Sequence, residues 1–141
     1  VLTPEEYWEQ HRRRIAATLS VVVGRKPNSE AYLRTSPYGT IIDARIWFDD
    51  DAFLDVHELV IIDGDVPHRV IYSYHLHVDG AFVHRWDRDP KLVGEFVHHV
   101  NRPHRNEVTH EPADAISLPD AVACCWAIID DYRRSQAAKR R

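Results

Sequence analysis

Val66-Pro67-His68-Arg69-Val70-Ile71-Tyr72-Ser73-Tyr74-His75-Leu76-His77-Val78-Asp79-Gly80-Ala81-Phe82-Val83-His84-Arg85-Trp86-Asp87 is the stretch that decides the fold. An Asp-Gly pair between two runs rich in β-branched and aromatic residues marks a hairpin closed by a two-residue type I′ turn, since both turn positions must take positive φ. Counting outward from that turn pairs Val78 with Ala81, Leu76 with Val83, Tyr74 with Arg85 and Tyr72 with Asp87. Side chains alternate, so these pairs share one face, while His77 with Phe82, His75 with His84 and Ser73 with Trp86 share the other. The first face is apolar near the turn and carries Tyr72, Tyr74, Arg85 and Asp87 at its far end. That end is the candidate site.

The alternation extends upstream. Ile42, Ala44, Ile46 and Phe48 oppose Ile41, Asp43, Arg45 and Trp47 in one strand. After a turn at Asp49-Asp50-Asp51, Leu54, Val56, Val60 and Ile62 oppose Phe53, Asp55, His57, Leu59 and Ile61 in the next. Asp63-Gly64 turns the chain into the strand of Tyr72 and Tyr74, giving a four-stranded antiparallel meander over residues 40–87. Thr3-Pro4-Glu5-Glu6 is a capping box that starts a helix within residues 1–20, and Ser117 caps a second over 117–134 with Leu118, Val122, Cys125, Trp126, Ile129 and Tyr132 as its apolar stripe. Residues 24–39 read as a connection, and 88–116, punctuated by prolines and rich in His and Arg, as a functional loop. The expected architecture is therefore a single α+β domain over 1–141, with both helices packed on the apolar face of the sheet.

The 141 residues suffice for one packed core, and the formal charge of −4 argues against wholesale electrostatic coating of nucleic acid. No apolar run approaches the roughly 20 residues a membrane helix requires, and the charged N-terminal helix is unlike a signal peptide. A cytoplasmic protein is expected. The two cysteines are the neighbours Cys124 and Cys125, which an ordinary disulfide cannot join without strain, so both are expected to be free and buried.

Tyr72-Ser73-Tyr74-His75, the Asp79-Gly80 turn, Arg85-Trp86-Asp87, a proline-containing loop, His98-His99 and a closing amphipathic helix together resemble the TumE-type toxins of bacterial toxin-antitoxin modules, over residues from about 40 to 132. Members of that family read Tyr-Ser-Tyr-His, then Arg-(aromatic)-Asp-Asn-Ala-Pro-His-His, then Pro-His-His-Lys-His. This chain matches the first block in full. It keeps Arg85, Trp86 and Asp87 of the second but has Arg88-Asp89-Pro90 next, and it follows His98-His99 with Val100-Asn101. The resemblance implies a small cytoplasmic toxin neutralised by a cognate antitoxin, and does not by itself supply a reaction.

Helices on a four-stranded antiparallel sheet share the outline of barnase- and RelE-like endoribonucleases, an analogy of fold. Metal-free RNA cleavage needs a base for the 2′-hydroxyl proton, a cation for the phosphate and an acid for the leaving oxygen. The residues expected to carry it are Tyr74, Arg85, Asp87, His98 and His99, with Arg69, Tyr72 and Arg88 binding substrate, and with no cofactor. His98, His99, His104 and His110 follow no established zinc spacing, so no metal is expected. The plainer reading makes Tyr74–Arg85 and Tyr72–Asp87 ordinary cross-strand pairs, with His75 and His84 packed beside Phe82 and Trp86. The competing class is a non-enzymatic protein that docks a partner through its sheet, or a divergent inactive member of the family; a homodimer through an edge strand is the default assembly.

Overall fold

The computed structural model describes residues 1–23, 28–88, 98–104 and 107–140. Helix α1 spans Pro4–Val23, strands β1 to β7 span Asn28–Ser36, Gly39–Asp49, Ala52–Asp63, Val66–Val78, Ala81–Arg88, His98–His104 and Glu107–Pro112, and helix α2 spans Leu118–Lys139. The strands form one antiparallel sheet in the order β1-β2-β3-β4-β5-β6-β7, so each strand pairs with its neighbours in sequence.

Both helices begin where their caps dictate. The Glu6 amide donates to Thr3 Oγ1 at 3.1 Å and Glu6 Oε2 accepts from the Thr3 amide at 3.5 Å, a reciprocal capping box. Ser117 Oγ accepts from the Asp120 amide at 3.2 Å at the start of α2. Alternation then selects the buried face: Ile42, Ala44, Ile46 and Phe48 of β2 and Leu54, Val56 and Val60 of β3 are buried, against Tyr7, Trp8 and Ile15 of α1 and Leu118, Val122, Cys125 and Ile129 of α2. Each such aliphatic side chain contributes about 1.5–3 kcal/mol by leaving water. The opposite face, with Trp47, Phe53, His75, His77 and Phe82, is only half-buried.

Arg133, near the end of α2, ties the helix to two hairpin turns. Its guanidinium donates to Asp49 at 2.7 and 3.2 Å and to Asp79 at 3.0 and 3.2 Å. One of the acidic triplet therefore serves as a helix anchor, while Asp49 Oδ1 also accepts from the Asp51 amide to shape the turn.

The structure corrects the expected fold in three respects. Among the described residues the sheet has seven strands rather than four: the segment read as a connection contains β1, and the His/Arg-rich loop contains β6 and β7. β1 and β7 are the outer strands, which need no fully buried row, and β6, though interior, offers only Val100 and Pro103 as apolar residues. Residues 89–97 and 105–106 of that loop lie outside the described residues. Cys125 is buried as expected, but Cys124 is exposed.

The third correction is the register of the deciding hairpin. Asp79 and Gly80 both have positive φ, 53° and 81°, as a type I′ turn requires, and Val78 pairs with Ala81. His77 then faces Phe82 but Leu76 faces His84, which leaves Val83 as the extra residue of a β-bulge. Beyond it Tyr74 faces Trp86 rather than Arg85, Tyr72 faces Arg88 rather than Asp87, and His75 faces Arg85 rather than His84. A second bulge lies between β3 and β4: Leu59 faces Ile71 while Val60 faces Arg69, leaving Val70 unpaired.

Candidate active site

The two bulges decide which side chains meet. Strict alternation from Tyr72 and Tyr74 would put Arg69 and Arg88 on the opposite face. The extra residue at Val70 brings Arg69 round to the face of Val60, and the one at Val83 brings Arg88 opposite Tyr72. Both arginines thus reach the tyrosine face at one end of the sheet, where an open depression is lined by Pro67, His68, Arg69, Val70 and Arg88. Arg88 is held there by donating from Nη1 to the carbonyl of the bulged Val70.

Behind the depression lies a buried polar cluster. Arg69 Nη1 donates to the Tyr74 hydroxyl at 2.5 Å, and its guanidinium lies 3.9 Å from the ring centroid of Tyr72. The Tyr74 hydroxyl donates in turn to Glu58 Oε1, and the Tyr7 hydroxyl of α1 donates to Glu58 Oε2 at 2.8 Å. Tyr72 and Tyr74 stack with centroids 5.0 Å apart, and the Tyr72 hydroxyl accepts from the Ile116 amide at 3.4 Å. Glu58 is 1% exposed and Tyr74 fully buried. A carboxylate in such a place is tolerated because its oxygens are paired.

Burial and the neighbouring Glu58 carboxylate push both the Tyr7 and Tyr74 hydroxyls well above the ordinary tyrosine value, so they stay protonated and act as fixed donors. Burial opposes the charge on Arg69, yet Tyr74 and Glu58 outweigh it and keep the guanidinium protonated. His11, one turn after Tyr7 on α1, packs edge-on against that ring at 4.4 Å, and burial lowers its pKa against the opposing pull of Glu58.

Of the residues expected at the site, Arg69, Tyr72, Tyr74 and Arg88 come together here. Arg85 and Asp87 do not. They sit on the other face, where Arg85 Nε donates to Asp87 Oδ2 at 2.7 Å and the same oxygen accepts from Asn101 Nδ2 at 2.6 Å. His98 and His99 are not in a loop but in β6, their backbones paired with Arg88 and Asp87 respectively; their side chains lie outside the described part of the structure. His75 and His84 have the packing the plainer reading gave them, 4.6 Å from Phe82 and 4.3 Å from Trp86.

Sequence reasoning passed over Glu58, Tyr7 and His68. Glu58 left a legible trace, a lone carboxylate in the even-numbered apolar series Leu54, Val56, Val60. Tyr7 precedes Trp8 on the apolar stripe of α1, and His68 carried no signal apart from its place beside Arg69.

On the open face, Trp47, Phe53, His77 and Phe82 form a row across four strands. Trp47 to Phe53 and Phe53 to His77 are each 4.8 Å between centroids, and Arg45 lies 4.1 Å from the Phe53 ring while donating to Asp55 at 2.7 Å. Phe53 stacks on His77 while Trp47 lies tilted against it, and Phe82 meets His75 edge-on, contacts that brace neighbouring strands.

Among the described residues no helix is long and apolar enough to cross a membrane. Searches of the curated proteins and of the solved structures found no match to this chain. The family model described as Toxin TumE matches residues 12–133, taking in β1 to β7, most of α1 and most of α2. With all but the outer ends of the chain covered, the protein belongs to the TumE toxin family.

Proposed function

We propose that this toxin is a metal-independent endoribonuclease whose reaction takes place in the depression between Arg69 and Arg88, and that it works in the cytoplasm under the control of an antitoxin. The observation that carries the reading is the pair of bulges, each of which turns an arginine onto the tyrosine face at the same end of the sheet. Bulges recur beside active sites because they re-aim a side chain without ending the strand.

In this reading the two guanidiniums take the scissile phosphate, a role suited to their planar fork. An RNA 2′-hydroxyl attacks the adjacent phosphorus and the bond to the 5′-oxygen breaks, leaving a 2′,3′-cyclic phosphate and a 5′-hydroxyl. His68, exposed on the rim, takes the proton of the attacking hydroxyl. His98, whose backbone pairs with Arg88, is assigned the proton delivered to the leaving oxygen. Tyr74 and Glu58 position Arg69, since their polar atoms are buried and already engaged. Arg85, Asp87 and His99 are left to hold β5 against β6.

Incubation of the purified protein with total RNA in EDTA tests this. Cleavage should fall about a hundredfold in Arg88→Ala, the scale of losing one donor to a developing oxyanion, with circular dichroism unchanged. Arg134→Ala, an exposed substitution on α2, should cleave like the parent. RNA left intact by the parent chain defeats the proposal, and so does full cleavage by Arg88→Ala.

A further inference from the structure

Strand β1 closes one end of the sheet with its outer edge unpaired among the described residues. It pairs with β2 without interruption over nine residues, Asn28 to Ser36, and contains no bulge, proline or lysine to blunt that edge. Tyr32, at its centre, is 72% exposed. A long, regular, undefended edge is a template for another strand.

The sequence of β1 says which strand. Around Tyr32 it reads Glu30-Ala31-Tyr32-Leu33-Arg34, with opposite charges equally spaced on either side. Glu30, Tyr32 and Arg34 pair with Arg45, Asp43 and Ile41 on the open face. Ala31 and Leu33 pair with the buried Ala44 and Ile42 and pack against the core. We propose that β1 pairs antiparallel with β1 of a second copy of this chain, about a two-fold axis passing through Tyr32. That register sets Tyr32 against its own copy and Glu30 against Arg34 twice over on the open face, while Ala31 meets Leu33 on the core face.

The neighbouring registers are worse. Centring on Ser29–Ala31 or on Leu33–Thr35 sets Glu30 against Glu30 or Arg34 against Arg34, and like charges directly opposite destabilise a sheet. Centring on Ala31 or Leu33 itself leaves both charges unmatched. In the Tyr32 register each residue meets one of the same parity, so backbone groups pointing away from β2 meet equally free groups in the other copy. Arg34 already lies 3.5 Å from Asp43 in its own chain, with both side chains largely exposed, so it reaches a second carboxylate without being stripped of water. The assembly is isologous and closes on itself, because each copy uses its β1 edge once. It does not depend on the reaction proposed above.

Sedimentation equilibrium of the whole chain and two variants tests the pairing. The parent should dimerise in the micromolar range, and Glu30→Arg and Arg34→Glu should each weaken self-association by tenfold or more, since each sets two like-charged pairs across the axis. An equimolar mixture of the two variants should regain association to within about threefold of the parent, because every pair across the axis is then opposite in sign. Any cost of either substitution inside its own chain is the same in the mixture as alone, so the mixture reads the contact between copies. In a Cys124→Ser background, Tyr32→Cys should cross-link two chains on mild oxidation and Thr35→Cys, which faces Ser29, should not. A monomeric parent, as expected if the edge instead takes a strand from a different protein, overturns the proposal. So do a mixture no tighter than its components and cross-linking at position 35 as fast as at 32.

Discussion

On the helix-covered face, Glu58 accepts from two tyrosine hydroxyls with almost none of its surface in water, and Arg69 is fixed through one of those hydroxyls. On the open face, Asp55 takes two donors from Arg45, yet about two-fifths of each side chain stays in solvent. The groups are the same: a carboxylate, a guanidinium and flanking aromatic rings. What differs is the cost of disturbing them. A buried charge that loses its partners has no water to replace them, whereas an exposed one simply rehydrates.

The largest expected effect follows from that contrast. Glu58→Ala strips the Tyr7 and Tyr74 hydroxyls of their common acceptor and leaves Arg69 without a nearby counter-charge, at a cost of about 3–5 kcal/mol in urea unfolding. A loss under about 1 kcal/mol would mean that the cluster reaches solvent after all. Tyr74→Phe keeps the carboxylate but removes the bridge to Arg69, and the expected loss is about 1–3 kcal/mol. Under the proposed function it should also weaken RNA cleavage without abolishing it, since the guanidinium is misaimed rather than missing.

The open face responds to pH through His75. Burial, then the nearby His77 and Arg85, pull its pKa down to about 4, whereas an unfolded histidine titrates near ~6.5. As pH falls below ~6.5 the unfolded chain takes up this proton and the folded chain does not, so stability declines down to about 4 and then levels off. His75→Phe should flatten that slope in urea midpoints measured from pH 7 to 4. Part of it survives, because His11 is shifted in the same direction. An unaltered slope would remove His75 from the account. The smallest effect belongs to Asp55→Asn, about 0.2–1 kcal/mol, because its partner Arg45 keeps its hydration and its stacking on Phe53.

The sequence made one face of this comparison easier to read than the other. Alternation identified β2 to β5 and the buried rows of β2, β3 and β4, though not that of β5 beyond Val83, and Thr3, Ser117 and Asp79-Gly80 announced the helix starts and the tight turn. The residues that assemble the site were hidden because Val70 and Val83 look like any other strand valine. Nothing in composition tells a bulged valine from a paired one, yet each reverses every side chain beyond it. Strict alternation leaves Arg69 and Arg88 off the tyrosine face and puts Arg85 beside Tyr74, a register one residue out beyond Val83. Glu58 was open to detection, since a carboxylate in an apolar row must have partners. β1, β6 and β7 escaped because their apolar residues are few: Ala31 and Leu33 face the core from β1 and Val100 from β6, and Val108 is the lone aliphatic residue of β7.

The sequential strand order has a consequence for how the toxin is made. Each hairpin closes a short loop and can zip up as soon as it leaves the ribosome. Helix α2 is different: Arg133 reaches Asp49 across 84 residues, a contact that cannot form until translation has passed both. Until then the core lacks Leu118, Val122, Cys125 and Ile129 of α2 and the nascent meander stays partly wet. Pulsed hydrogen exchange during refolding should accordingly protect β3 and β4 before α2, and a fully packed sheet comes only as synthesis of the helix ends.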